Sequence, residues 1–150
     1  HPCPNTEYEK RMRALIERAT AAGITHMAFG DLFLQDIRAY REKQLADTGI
    51  APVFPLWGRK TMELAREMVR AGLRAKLSCV DPRHLPREFA GRTFDDSLLD
   101  ELPAGIDPCG ENGEFHSFCC AGPMFCRSIA VQTGEVVERD GFVFADLVPG

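Results

Sequence analysis

The chain has 150 residues, 45% hydrophobic and 27% charged, the balance of a globular protein able to bury a core as one domain or two small ones. A formal net charge of -4 provides no attraction for a polyanion, so no nucleic-acid partner is expected. No apolar run approaches the roughly 20 residues that span a bilayer, and no basic start leads into an apolar stretch as in an export signal. The chain therefore reads as a cytoplasmic protein without a membrane partner.

The six cysteines then read as reduced thiols rather than as a disulfide framework. His1 in place of Met reads as the absence of the natural N-terminus. The first predicted helix carries a capping box, Thr6 to Glu9, and an apolar stripe of Tyr8, Met12, Leu15, Ile16 and Ala19. A short apolar strand follows at His26–Phe29, then a helix from Gln35 to Ala46 and a strand at Val53–Trp57. A third helix from Thr61 to Ala71 leads into a strand at Ala75–Val80. Each helix-to-strand passage turns on a glycine, in Ala22-Gly23-Ile24, Thr48-Gly49-Ile50 and Ala71-Gly72-Leu73. Glycine just past a helix end adopts left-handed backbone without a Cβ clash. Helices alternating with short apolar strands predict an α/β fold with a covered parallel sheet. The last of these strands alternates Lys76 and Ser78 with Leu77 and Cys79, which marks a sheet edge or a second domain.

Residues 81–110 are rich in Pro and Gly, with a short helix predicted at Asp95–Leu102. The last quarter reads as three strands, Ser128–Gln132, Glu135–Arg139 and Phe142–Leu147, separated by tight turns at Thr133-Gly134 and Asp140-Gly141. An antiparallel meander is expected there.

Chemistry concentrates in Asp107–Phe118. Gly110 and Gly113 flank Glu111 and Asn112, and Glu114 follows directly. Glycines let backbone N–H groups approach a ligand, and carboxylates bind a cation or amine or move protons. An exposed turn with solvated acids has the same composition. This one, however, leads into Glu114-Phe115-His116-Ser117-Phe118, a strand-like alternation with polar groups on one face. Phe29-Gly30-Asp31 lies at the carboxyl end of the first strand, where open parallel sheets bind ligands. A glycine and an acid there suit a ribose or a metal-bound phosphate, while Asp31 equally suits the cap of the next helix. Arg38 and Arg41 share a helix face with Leu34 and Ile37; such arginines pair with buried acids or grip an anion. Glu42, four residues after Arg38, offers an ion pair. Cys109, His116, Cys119 and Cys120 bring four metal-ligand types into one short stretch, but their spacing departs from the paired-ligand zinc knuckle. No metal site is expected from them, and Cys79 reads as a small core residue.

These pieces resemble the diphthine–ammonia ligase family, also known as adenine nucleotide alpha hydrolases. The matching pieces, in family order, are Ala28-Phe29-Gly30-Asp31, Asp36-Ile37-Arg38 with Arg41-Glu42, Phe54-Pro55-Leu56-Trp57, and Cys109-Gly110-Glu111-Asn112-Gly113-Glu114-Phe115-His116-Ser117. The resemblance implies a Rossmann-like nucleotide-binding domain whose last part is residues 1–58. A smaller α+β substrate-binding domain would occupy 59–150. It implies adenylation of a small-molecule or protein carboxylate by ATP with Mg2+, and displacement of AMP by ammonia to form an amide. Glu111, Glu114 and His116 would be catalytic, Gly110, Asn112 and Gly113 would contact substrate, and Gly30, Asp31 and Arg38 would serve the nucleotide.

Two departures qualify these expectations. The family's Ser-Gly-Gly-Lys-Asp-Ser phosphate loop is absent from the sequence, so adenylation by these residues alone is not expected. Eukaryotic members have Glu-Gly-Gly-Glu, an aromatic and another acid, where this sequence has Asn112 and His116. That pattern is associated with bacterial relatives and implies an acceptor other than diphthine. The rival expectation is a non-catalytic module that binds a nucleotide, metal or protein. A parallel sheet with an open apolar edge would also favour a homo-oligomer.

Overall fold

The computed structural model describes residues 4–150; His1 and Cys3, which enter the readings of the N-terminus and the cysteine count, lie outside the described residues. The chain divides into two units, one ending at Gly58 and one spanning Arg59–Gly150. It is a mixed α/β structure with a small parallel sheet and a larger antiparallel one.

The first unit contains α1 (Asn5–Ala21), β1 (His26–Ala28), α2 (Gln35–Leu45) and β2 (Ala51–Val53). Strands β1 and β2 pair in parallel, with Met27 opposite Pro52, joined through α2 as a parallel crossover requires. Strand β2 is displaced from its predicted position. Pro55 has no N–H for a ladder, and residues 54–57 form a turn in which Trp57 N–H donates to Phe54 C=O at 3.2 Å. The core is Ile16, Leu45 and Ile50, with Ala19, Met27 and Phe29 partly buried against it. Tyr8 and Leu15 of the predicted stripe remain exposed.

The expected capping box does not form. Pro4 is the N-cap residue, its carbonyl accepts from Glu7 and Tyr8 N–H, and Thr6 falls inside the first turn. At the other end, Gly23 has φ 79. Its N–H donates to Thr20 C=O while Ile24 N–H donates to Ala19 C=O, the paired bonds of a left-handed helix stop. Gly49 works differently, because α2 stops earlier, at Leu45. Asp47 takes the left-handed conformation there (φ 62), and the Thr48 hydroxyl donates to Leu45 C=O at 2.7 Å while accepting Ile50 N–H at 3.2 Å.

The second unit contains α3 (Thr61–Arg70), β3 (Arg74–Val80), α4 (Asp96–Glu101), β4 (Phe115–Ala121), β5 (Val131–Arg139) and β6 (Phe142–Pro149). Its sheet has the order β4-β3-β6-β5, and every neighbouring pair is antiparallel. Strand β3 is therefore neither a third parallel strand nor an edge; its polar alternation reflects membership of this separate sheet. Asp95 caps α4 by accepting Leu98 N–H at 2.9 Å.

Strand β5 begins at Val131 rather than Ser128 and runs without interruption through Thr133-Gly134, where a tight turn was expected. A register shift between Thr133 and Val136 absorbs the glycine as a bulge, and the Thr133 hydroxyl donates to Gly91 C=O at 3.0 Å. The Asp140-Gly141 turn is present, with φ 52 and 79, as a two-residue hairpin requires. Instead of a three-strand meander, β6 returns to lie between β3 and β5. Leu77, Val80, Leu85, Leu98 and Val143 form the fully buried centre of this unit. Among the described residues no helix is long and apolar enough to cross a membrane.

Candidate functional site

Asp107-Pro108-Cys109-Gly110 places an acid first, proline second and glycine fourth, the preference of a type I turn. Gly110 N–H donates to Asp107 C=O at 2.9 Å, and Gly113 N–H donates to Gly110 C=O at 3.0 Å. Gly110 has φ 69, and a Cβ there would stand 2.9 Å from Phe115 O and 3.1 Å from the Phe115 ring. Only glycine lets the turn close over Phe115, which is buried at the start of β4.

Among the described residues the buried charged side chains are Asp81 (3% exposed), Asp107 (8%) and Glu114 (3%). All three belong to this turn or border it. The Glu114 carboxylate accepts Asp107 N–H at 3.0 Å, Asn112 N–H at 3.1 Å and the Asn112 side-chain amide at 3.0 Å. Burial pushes its pKa up, but the Asn112 side chain and the backbone N–H donors outweigh that and hold the carboxyl below its ordinary value. The Asp107 carboxylate accepts Glu111 N–H at 2.8 Å. Asp81 N–H donates to Glu114 C=O at 2.9 Å. Its own carboxylate is gripped by the Arg83 guanidinium, with a closest approach of 2.5 Å, which brings its pKa down to about 2.

The backbone N–H groups of Gly110, Glu111, Asn112 and Gly113 thus all have partners inside the loop. The glycines were expected to free such groups for a ligand. Two buried carboxylates claim two of them instead, because a buried charge requires donors. Outward the turn presents half-buried Glu111 with exposed Asn112 and Gly113, and His116 is exposed on β4. Asp107 opened the sequence-based segment without a role of its own, and Asp81 lay outside it. The Asp-Pro-x-Gly pattern signals Asp107, whereas nothing local signals Asp81.

In the first unit, Gly30 is exposed, with open space where a Cβ would stand. Asp31 does not cap α2, whose N-cap residue is Leu34 without a side-chain bond. Its Oδ2 lies 3.8 Å from Arg41 Nε, and both atoms are buried without a hydrogen bond. Arg38 pairs with Glu42 at 2.9 Å, and its guanidinium stacks over Phe54 at 4.7 Å and Trp57 at 4.8 Å. Arg41 lies over Phe29 at 5.2 Å, and Phe29 stacks on Phe54. These aromatic partners, each a cation–π contact, were also not foreseen. The structure gathers Gly30, Asp31 and Arg38 in this unit and Gly110–Gly113, Glu114 and His116 in the other.

Among the described residues no group of three or more His, Cys, Asp or Glu is placed to hold a metal ion. The Asp31 carboxylate faces a guanidinium rather than further oxygen donors, which does not fit magnesium. A nucleotide's phosphates need free N–H groups, which the Gly110–Gly113 turn does not offer. Burial first, then the charges of Asp107 and Glu111, push the Cys109 thiol up to about 12, which does not suit a thiolate nucleophile near neutrality.

The model of the diphthamide synthase C-terminal domain matches residues 60–145, within the second unit and including the whole turn. Human diphthine–ammonia ligase is 34% identical over 101 residues, covering 64% of this chain and 38% of that protein. The rat protein of the same name is 33% identical over 101 residues, with the same coverage. The zebrafish protein is 31% identical over 121 residues, covering 75% of this chain and 46% of its own. The chain thus spans less than half the length of these relatives. With more than half of its 150 residues inside the family match, this chain belongs to the diphthamide synthase C-terminal domain family.

Proposed function

We propose that this chain forms part of an ATP-dependent, amide-forming ligase acting on a carboxylate and ammonia. The observation that carries the reading is the family match over 60–145, which takes in every second-unit site residue. Relatives matching 64% of this chain are named diphthine–ammonia ligases.

Joining ammonia to a carboxylate requires an oriented amine and removal of its proton. In this reading Glu111 receives the ammonium or orients the acceptor, with Gly110, Asn112 and Gly113 shaping the contact. Glu114 keeps the turn charged and closed. His116, whose imidazole can accept a proton as a general base, carries the proton away. Gly30, Asp31 and Arg38 serve the nucleotide side. An imidazole at His116 in place of an acid, with Asn112 in place of glycine, supports an acceptor other than diphthine. No Ser-Gly-Gly-Lys-Asp-Ser phosphate loop occurs among these 150 residues, so adenylation is not ascribed to them alone. No step is assigned to magnesium. The protein is proposed to work in the cytoplasm.

The test is pyrophosphate release by the full-length protein supplied with ATP, magnesium and ammonia. Turnover is expected, and Glu111→Gln should lower it about 100-fold or more without altering the circular dichroism. Equal release by parent and variant would remove Glu111 from the mechanism. Absence of release with every carboxylate tried would favour a non-catalytic module.

A further inference from the structure

We propose that Asp107 is a positioning residue for this site, acting through Glu111; the inference rests on the ligase reading above. Three observations support it. Asp107 is one of three buried charged side chains among the described residues, and all three cluster at this turn. Its Oδ2 holds the Glu111 N–H at 2.8 Å, which sets the backbone from which the Glu111 side chain departs. Its own N–H is held by Glu114 Oε1 at 3.0 Å.

The two carboxylates therefore form a reciprocal clasp. Glu114 holds Asp107 and Asn112, Asp107 holds Glu111, and Gly110 N–H donates back to Asp107 C=O. Asn112 and Gly113 at the crown are exposed, so packing does not fix the crown; the hydrogen bonds to the two acids do. A bond to a charged acceptor in a partly dehydrated place is among the stronger ones. Removing it frees the Glu111 backbone while the core beneath, centred on Leu77 and Val80, keeps its packing.

Asp107→Ala deletes the acceptor, whereas Asp107→Asn keeps an amide oxygen in its place. In the 150-residue chain, amide exchange followed by NMR should accelerate at Glu111 in Asp107→Ala by about tenfold or more, with β3 and β6 amides unchanged. Asp107→Asn should largely restore the protection. In the full-length protein, Asp107→Ala should raise the KM for ammonia about tenfold or more and leave the KM for ATP at the parent value. A merely structural role would reduce the active fraction and move neither constant. An unchanged Glu111 exchange rate, an unchanged ammonia KM, or Asp107→Asn behaving like Asp107→Ala would each overturn the proposal.

If the parent shows no ammonia-dependent turnover, the ligase reading fails and the exchange data alone decide whether Asp107 positions Glu111. If Asp107→Ala does not fold, the parent is titrated instead. The Glu111 amide shift must then follow the Asp107 carboxyl signal, and independent titration of the two overturns the assignment.

Discussion

At residue 114 an ionised carboxylate survives at 3% exposure because backbone and side-chain N–H donors surround it. Gln has the same shape but must turn an amide N–H toward either Asp107 N–H or Asn112 N–H, donor against donor. Glu114→Gln is therefore expected to cost about 1–3 kcal/mol, read from the midpoint of urea unfolding. The sign of its pH dependence follows from the lowered pKa. A carboxyl held below its unfolded value contributes stability that is complete above the ordinary Glu range of about 4.3. That contribution fades as pH falls through the folded pKa. Parent and Glu114→Gln should therefore converge in stability under acid and diverge near neutrality. A constant gap at all pH values would mean that the charge contributes nothing. Reduced turnover in this variant is by itself no proof that Glu114 touches substrate, since the turn it organises would loosen.

Glycine positions separate the elements by what surrounds them. Gly105 and Gly110 both have left-handed backbone, with φ 90 and 69, but a Cβ meets nothing within 4 Å at Gly105 and strikes Phe115 at Gly110. Gly105→Ala should then cost only the conformational penalty, roughly 1–2 kcal/mol, and Gly110→Ala clearly more; equal losses in denaturant unfolding would refute the close packing on Phe115. The same contrast explains which turns were legible. Asp140-Gly141 is a local signal, because both residues tolerate the left-handed φ values a tight hairpin needs. Thr133-Gly134 looks similar in sequence but lacks positive φ. The Thr133 hydroxyl is tied to Gly91 C=O, and a partner 42 positions away in the chain leaves no local trace. Likewise the Thr6–Glu9 box lost to Pro4, whose fixed φ suits a helix start.

The two units differ in how much they bury. The second has a cluster spanning α3, β3, α4, β4 and β6, among them Leu64's neighbour Ala65 and the large side chains Phe89, Phe94 and Phe115. The core cluster of the first consists of Ile16, Leu45 and Ile50, beneath two strands of three residues each. Small two-stranded sheets are marginal without a substantial apolar face. Residues 59–150 produced alone should therefore unfold in one cooperative urea transition, and residues 1–58 alone should show none. A non-cooperative melt of 59–150 would contradict the independence of its core.

Local patterning alone determined the helix positions, the left-handed stops at Gly23 and Gly72, the final hairpin and the location of the acidic turn. Each rests on backbone preferences or apolar periodicity confined to a few residues. Tertiary structure decided that β3 sits inside an antiparallel sheet, because a strand of this length carries no mark of its neighbours' direction. It also decided that the turn's N–H groups face inward, since that depends on where the buried Asp107 and Glu114 carboxylates come to rest. Burial, unlike periodicity, is a property of the whole packed unit.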